Sequence, residues 1–332
     1  MRSLVPVALC AGLMGACASD VVVRNQDFED VFQQSPTDQV DILFIVDNSG
    51  SMQLEQKLLA AGFKSFITEI EATGANFHIG VITTDFQYDD PKRGQLVGFP
   101  PVITPDVDYT KIFEARAITG VNGGGMEKGL EAASYALSPQ MTTGPNAGFL
   151  RQEATLLVVI VSDEDDCSDR GALGADALNT DCYTKFDELV PVSTFVSEMS
   201  ALKPTPDRFK FAGIIGPEDA TGSCADSSLP GHRYIEAARL TGGLTASICD
   251  SDWSSFLYDL GLNAAGIYTI FPLSHGAVPG TLKVFVDEQE VPESDGDGYT
   301  YDDVGHTIEF HGIWIPERGA AVKATYTIES GT

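Results

Sequence analysis

The chain has 332 residues, with 20 Lys and Arg against 48 Asp and Glu, which gives a formal net charge of −28 at pH 7. A charge of this sign repels phosphate backbones and anionic lipid surfaces, so it argues against nucleic acid and charged membranes as partners. Divalent cations and basic protein surfaces remain, although acidity also simply keeps a surface protein soluble.

The N-terminus has the features of an export signal. Arg2 precedes an apolar run over 4–13 that is too short to span a membrane. The following GLMGAC resembles a bacterial lipobox, which implies cleavage before Cys17 and lipidation of that cysteine; the alternative is an ordinary cleavage site at 16–18 and simple secretion. In the lipoproteins that this segment resembles, Asp after the cysteine favours retention in the inner membrane. The resemblance with Ala18 in that place therefore implies the outer membrane or the cell surface, with the lipid as the only anchor.

Two of the six cysteines lie in this signal segment, which leaves an even set in an exported chain. Such a set favours two disulfides over a metal-thiolate site, because no C-x-x-C pair or nearby His cluster is present. Three pairings are possible, and we expect bridges between sequence neighbours because each closes a short loop. The predicted pairs are Cys167 with Cys182 and Cys224 with Cys249.

Apolar strands alternate with amphipathic helical stretches through most of the chain. Strands are predicted at 41–46, 77–83, 155–162 and 209–215, and helices at 52–72, 126–137, 184–202, 231–241 and 252–261. Repeated β-α units predict an α/β fold with a doubly wound, mostly parallel sheet and helices on both faces.

The pattern changes near residue 265, where short alternating stretches separated by Gly, Pro and Asp predict a small all-β module. We therefore divide the chain into four parts. They are a signal peptide with its lipobox at 1–17, a linker at 18–39, an α/β domain at 40–264 and a β-rich module at 265–332.

The stretch DILFIVDNSGSM at 41–52 carries the first candidate site. Its apolar residues do not alternate with polar ones, which is typical of a strand buried on both faces of a parallel sheet. Asp47, Ser49 and Ser51 follow directly. Because open α/β sheets bind ligands at the carboxyl ends of their strands, these three side chains are candidate ligand-binding residues.

DNSGS at 47–51 matches the D-x-S-x-S motif of von Willebrand factor type A domains, and VVIVSDEDD at 158–166 resembles that family's later strand ending in a metal-site Asp. The resemblance covers roughly residues 38–263. It implies a metal-ion-dependent adhesion site in which Asp47 is oriented by backbone amides, both serines coordinate, and Asp163 acts directly or through water.

The chemistry fits a hard cation such as Mg²⁺ or Ca²⁺, since both prefer oxygen ligands and Mg²⁺ usually keeps some of its waters. Two neutral hydroxyls with one or two carboxylates leave the ion positive and one position open for a carboxylate from a protein partner. The alternative is that Asp47 caps the following helix and that the serines only form the turn.

The third ligand of the family, a Thr, is missing here. In the family this Thr stands about six residues before an apolar helix position, and the residue six before Leu130 is Gly124. The nearest strong oxygen ligand is Glu127, with Asn122 and Thr119 as weaker candidates. A carboxylate in this place would lower the net charge of the site, which would either weaken its capture of an acidic ligand or shift its preference toward Ca²⁺. The alternative is that Glu127 only favours the start of a helix through the helix dipole.

The segment DEDDCSD at 163–169 holds five acidic residues. It is either a second cation site or a solvated acidic loop fixed by the Cys167 disulfide, and we expect the loop.

Taken together, these features predict a lipid-anchored cell-envelope protein that binds a protein ligand in adhesion or as a scaffold, and not an enzyme. One alternative is a metal-dependent phosphohydrolase, which needs a second carboxylate where Ser49 stands. Another is a structural envelope protein whose metal only stabilises the fold.

Overall fold

The computed structural model describes residues 24–34, 38–174, 176–178, 180–219, 221, 224, 228–317 and 319–330. The predicted signal peptide and the lipidation site at Cys17 lie outside the described residues. Within the described part, the chain contains no helix with the length and apolar character needed to cross a membrane.

The strands in chain order are β1 Arg24–Gln33, β2 Gln39–Val46, β3 Asn76–Thr83, β4 Thr155–Ser162, β5 Phe209–Ile215, β6 Thr245–Ser247, β7 Ile270–Pro272, β8 Lys283–Val286, β9 Gln289–Val291, β10 Gly298–Asp302, β11 Thr307–His311 and β12 Ala321–Ser330. The helices are α1 Gln53–Thr73, α2 Tyr109–Ala117, α3 Gly129–Ala136, α4 Pro139–Thr142, α5 Asp181–Thr184, α6 Val192–Ser200, α7 His232–Thr241 and α8 Ser254–Ala264.

A five-stranded parallel sheet in the order β3-β2-β4-β5-β6 forms the centre of the described α/β part. Ile42 and Phe44 of β2 pack in one apolar core with residues of α1, α2 and α8. Leu43 and Ile45 pack in a second core with residues of α3, α6 and α7. Helices thus cover both faces of the sheet, which explains why β2 and β4 are apolar at nearly every position.

Some local features differ from the sequence prediction. The helix predicted over 184–202 begins only at Val192, because Pro191 has an extended backbone (φ −56°, ψ 134°) that ends any helix before it. The edge strand β6 and helix α2 were not predicted. β6 has only three residues and α2 is weakly amphipathic, so neither produces a clear periodic pattern.

The remaining strands form two antiparallel sheets, ordered β1-β12-β8-β9 and β10-β11-β7. Both sheets contribute to one apolar cluster that includes Phe271, Phe310, Val322 and Tyr326. The segment from about residue 270 onward therefore folds as antiparallel β-structure, as its alternating pattern predicts.

The prediction that 18–39 is a linker is wrong over 24–33. Residues 24–33 form β1, which pairs along its whole length with β12 at the far end of the chain. Phe28 and Phe32 pack on the apolar cluster of the two antiparallel sheets. The acidic residues between these two phenylalanines hide the strand pattern in the sequence, and only pairing with β12 identifies it.

The antiparallel sheets pack near the amino ends of the parallel strands. Lys210, at the start of β5, has its Nζ 4.9 Å from the centre of the Tyr268 ring, and it donates a hydrogen bond to the Thr241 carbonyl at the end of α7. The carboxyl ends of β2 and β4 lie at the opposite edge of the parallel sheet.

Both predicted disulfides are confirmed. Cys167 is joined to Cys182 across 15 residues, and Cys224 is joined to Cys249 across 25 residues. Each bridge connects loops at the carboxyl ends of the parallel strands, and a loop of this length implies a stabilisation of about 3 kcal/mol per bridge.

Candidate metal site at the carboxyl ends of the strands

Asp47 is the fixed centre of the site. Its backbone N–H donates to the Val161 carbonyl (3.0 Å), which ties the end of β2 to β4. Its carboxylate accepts hydrogen bonds from the Ser49 backbone N–H (2.7 Å) and from the Ser162 hydroxyl (2.6 Å), and the side chain is fully buried. Burial raises the pKa of Asp47, against the opposing effect of these hydrogen bonds. The carboxylate is thus oriented by a backbone amide, as the family resemblance implies.

Helix α1 begins at Gln53 with no side-chain cap, so Asp47 does not cap it. The capping alternative is therefore wrong, whereas the turn is real. The Ser49 and Ser51 hydroxyls lie 3.1 Å apart on this turn, Ser49 buried and Ser51 exposed. Two hydroxyl oxygens at this separation present a polar edge to solvent beside the Asp47 carboxylate.

Gln56 connects this turn to the loop that precedes α3. Its side-chain amide donates to the carbonyls of Asp47 (2.8 Å) and Gly120 (2.7 Å), and its carbonyl accepts from the Gly120 N–H (3.2 Å). Gln56 is 1% exposed on the apolar face of α1. A polar residue at an apolar position of a helix is the signal in the sequence that marks this role.

Asp163 follows β4 directly and lies near the same turn. It is 6% exposed, and its Oδ1 has no hydrogen-bond partner among the described residues. Burial and then the charge of Asp47 raise its pKa to about 6, while the nearby Ser51 hydroxyl lowers it. Asp47, Ser51 and Asp163 are therefore close enough to influence one another, as expected for side chains at the ends of adjacent parallel strands.

Glu127 also faces this cluster. It is 1% exposed, and neither of its carboxylate oxygens has a hydrogen-bond partner in the described part of the chain. Burial, followed by the charge of Asp47, raises its pKa to about 9. The Thr84 hydroxyl lies close enough to lower this pKa but forms no hydrogen bond itself. At neutral pH and without a cation, the Glu127 carboxyl is protonated.

Glu127 does not start helix α3, which begins at Gly129 rather than at 126 as predicted. The free N–H groups at the start of α3 are taken by other side chains. Leu130 donates to Asp166 Oδ1 (3.0 Å) and Glu131 donates to the Ser168 hydroxyl (2.8 Å). Glu127 therefore precedes α3 by two residues and does not cap it. Of the weaker candidates, Thr119 has a buried hydroxyl without a described partner, whereas Asn122 is exposed.

The prediction that 163–169 is a solvated acidic loop is wrong, because four of its five acidic residues are buried. Besides capping α3, Asp166 accepts from the Arg233 guanidinium (3.0 Å), and Asp165 accepts from the Arg233 backbone N–H at the start of α7 (3.0 Å). Asp169 is buried and pairs with Lys128 at 2.5 Å. Carboxylates stabilise helix N-termini, so these residues fasten two helices around the site, a role that depends on tertiary neighbours.

Three further residues near the site were not identified from sequence. Ser162 orients Asp47, Thr84 lies beside Glu127, and Glu164 is half-buried with its pKa raised to about 7 by burial and by the charges of Asp47 and Asp163. Ser162 and Glu164 flank Asp163 in sequence, so their position was the available signal. Nothing local distinguishes Thr84.

Whether these residues suit a cation follows from their unpaired oxygens. The described residues contain no group of three or more His, Cys, Asp and Glu side chains that could hold a metal ion. A cation here would therefore depend on the Ser49 and Ser51 hydroxyls together with carboxylates and water. The unpartnered, buried oxygens of Asp163 and Glu127 are suited to such a mixed oxygen site.

No protein-family model matches the chain, and a comparison with curated proteins gave no match. Among solved structures, the pilus adhesin SpaC from Lactobacillus rhamnosus GG in its open conformation matches with a TM-score of 0.41 and 13% identity, over 93% of this chain and 41% of SpaC. A second SpaC crystal structure gives 0.39 and 13%, over 93% and 42%. Proximal thread matrix protein 1 from the mussel byssus gives 0.33 and 13%, over 69% and 49%. The chain spans less than half the length of each, and these TM-scores are too low to assign a fold or a function.

Proposed function

We propose that this protein binds a protein partner through a divalent cation, Mg²⁺ or Ca²⁺, at the carboxyl ends of β2 and β4. The ligands in this proposal are Asp47, Ser49, Ser51, Asp163 and Glu127. The role is that of an adhesion or scaffold protein rather than an enzyme. It operates at the cell envelope, with the lipid at Cys17 as its anchor.

The observation that carries this proposal is the set of buried carboxylate oxygens without partners. Leaving a buried polar atom unpaired costs about 1–3 kcal/mol, and more for a charged group. Asp163 and Glu127 together contain three such oxygens beside the buried Asp47 carboxyl. A divalent cation would offset this cost by giving the oxygens a ligand and by balancing the charge of Asp47, which adds to burial in raising the pKa values of Glu127 and Asp163.

The exposed position of Ser51 supports a role in binding a partner. A cation held by the Ser49 and Ser51 hydroxyls would sit at the surface edge of the cluster, where waters complete its shell. One water can be replaced by a carboxylate from a protein. We also propose that the α/β part at 40–264 has a von Willebrand factor type A-like fold. In this proposal 265–332 and β1 form an accessory β-module.

Calorimetric titration of the chelator-treated protein with Mg²⁺ and with Ca²⁺ tests the cation site. Asp163→Asn and Ser51→Ala are expected to weaken binding at least tenfold, because the first removes a negative charge beside the cation and the second removes a hydroxyl ligand. Matched controls are Asp106→Asn and Ser197→Ala, which alter exposed residues and should leave affinity unchanged. Cation affinity that is the same in all four variants and the unaltered protein would contradict the assignment.

The phosphohydrolase alternative is tested in the same preparations with an aryl phosphate substrate. We expect no cation-dependent hydrolysis above that of Asp47→Asn. Hydrolysis that requires both the cation and the Asp47 carboxylate would replace the binding proposal with an enzymatic one.

A further inference from the structure

A pocket of about 520 Å³ lies at the carboxyl ends of β2 and β3, near the acidic cluster of Asp47, Glu127 and Asp163. It is lined on one side by Asn48, Thr83 and Asp85, and on the other by residues 90 and 92–98 of the loop after β3. Asn48 follows Asp47 in the chain, and the charge of Asp85 contributes to the raised pKa of Glu127. Thr83 also pairs with Val46, the residue before Asp47, so the pocket lies next to the proposed cation site.

The loop wall of this pocket is held in place by buried hydrogen bonds. The Val97 N–H donates to the Val81 carbonyl (2.8 Å), and the Leu96 N–H donates to the side-chain carbonyl of Asn146 (3.0 Å). The Asn146 amide in turn donates to the Gly94 carbonyl (2.8 Å), and Asn146 is 1% exposed. A wall fixed in this way loses little conformational entropy when a ligand enters.

Two adjacent cations line the pocket. The Arg93 guanidinium donates to the carbonyls of Tyr88 (2.6 Å) and Asp90 (3.1 Å) and lies 4.7 Å from the centre of the Tyr135 ring, so its position is fixed. Lys92 is exposed and has no ion pair among the residues that the structure describes. The Asp90 carboxylate accepts a hydrogen bond from the Lys92 backbone N–H (2.8 Å).

We propose that this pocket is a second subsite for the protein partner, and that it binds an acidic segment. One carboxylate of the segment would reach the cation and another would reach Lys92, with Arg93 adding positive charge. This inference rests on the proposed function. An acidic segment approaching a chain of net charge −28 is repelled, so cations beside the binding position raise both selectivity and association rate.

Two labelled peptides test this on the full chain by fluorescence anisotropy in Mg²⁺ and in chelator. One peptide contains six glutamates, and the other contains one glutamate and five glutamines. We expect Mg²⁺-dependent binding of both, tighter for the six-glutamate peptide. Lys92→Gln should weaken that binding roughly two- to fivefold, the range of an exposed ion pair, and leave the one-glutamate peptide unaffected.

Lys64→Gln is the matched control, since it removes the same charge from an exposed position on α1 and should alter neither affinity. If Lys92→Gln and Lys64→Gln have equal effects on the six-glutamate peptide, the second subsite is refuted while the cation site stands. If neither peptide shows Mg²⁺-dependent binding, the proposed function fails and the inference fails with it.

Discussion

Glu127→Gln is predicted to make the cation-free protein increasingly more stable than the unaltered protein as the pH rises. Burial and the charge of Asp47 raise the pKa of Glu127 from 4.5 to about 9. Between these values the folded state keeps a proton that the unfolded state releases, so the free energy of unfolding falls with increasing pH. The slope for this one group is about 1.4 kcal/mol per pH unit, which amounts to about 3 kcal/mol between pH 4.5 and pH 7.

Glu127→Gln lacks this titration. The difference in free energy of unfolding between the variant and the unaltered protein should therefore grow by about 1.4 kcal/mol per pH unit. The new amide has no better hydrogen-bond partners than the carboxyl, which adds a contribution to the stability difference that does not depend on pH. This contribution leaves the slope against pH unchanged. Urea unfolding in chelator at about pH 5, 6, 7 and 8 measures the slope directly.

Glu114→Gln is the control, because Glu114 is exposed on α2 and its replacement should not change the pH dependence of stability. If the stability difference between Glu127→Gln and the unaltered protein is the same at every pH, Glu127 does not have a raised pKa. The burial of an unpaired carboxyl beside Asp47 would then be the wrong description of the site.

Three other changes test separate parts of the structure. Gln56→Ala should lower the free energy of unfolding by about 1–3 kcal/mol and increase amide exchange near Gly120, because two buried carbonyls lose their donor; unchanged exchange would show that Gln56 does not hold the loop. Replacing both Cys224 and Cys249 by Ser should cost about 3 kcal/mol in chemical denaturation, and a change below 1 kcal/mol would contradict the expected loop-closure effect. Removing residues 1–33 should expose the apolar cluster that Phe28 covers and raise dye binding and aggregation, whereas a monomeric product with unaltered stability would show that β1 is dispensable.

The parallel strands and the polar residues at their ends could be predicted because each signal is local. An unbroken apolar run such as 41–46 needs both sheet faces covered, and Asp47 and Asp163 follow two such runs directly. Adjacent strands in a parallel sheet end at the same edge, so predicting the strands also predicted that these two carboxyls lie near each other. Disulfide pairing followed in the same way from short spacing along the chain.

The sequence alone determined four of the five parallel strands and the edge of the sheet at which Asp47 and Asp163 lie. The tertiary structure decided what each acidic residue does there. Asp166 and Glu127 are both acidic residues near a helix start, yet Asp166 caps α3 while Glu127 is buried without a partner and faces Asp47. The tertiary structure also decided that 24–33 is a strand, since its pairing partner lies almost 300 residues away. Burial, charge proximity and strand pairing depend on residues that are distant in sequence, and local patterns contain no record of them.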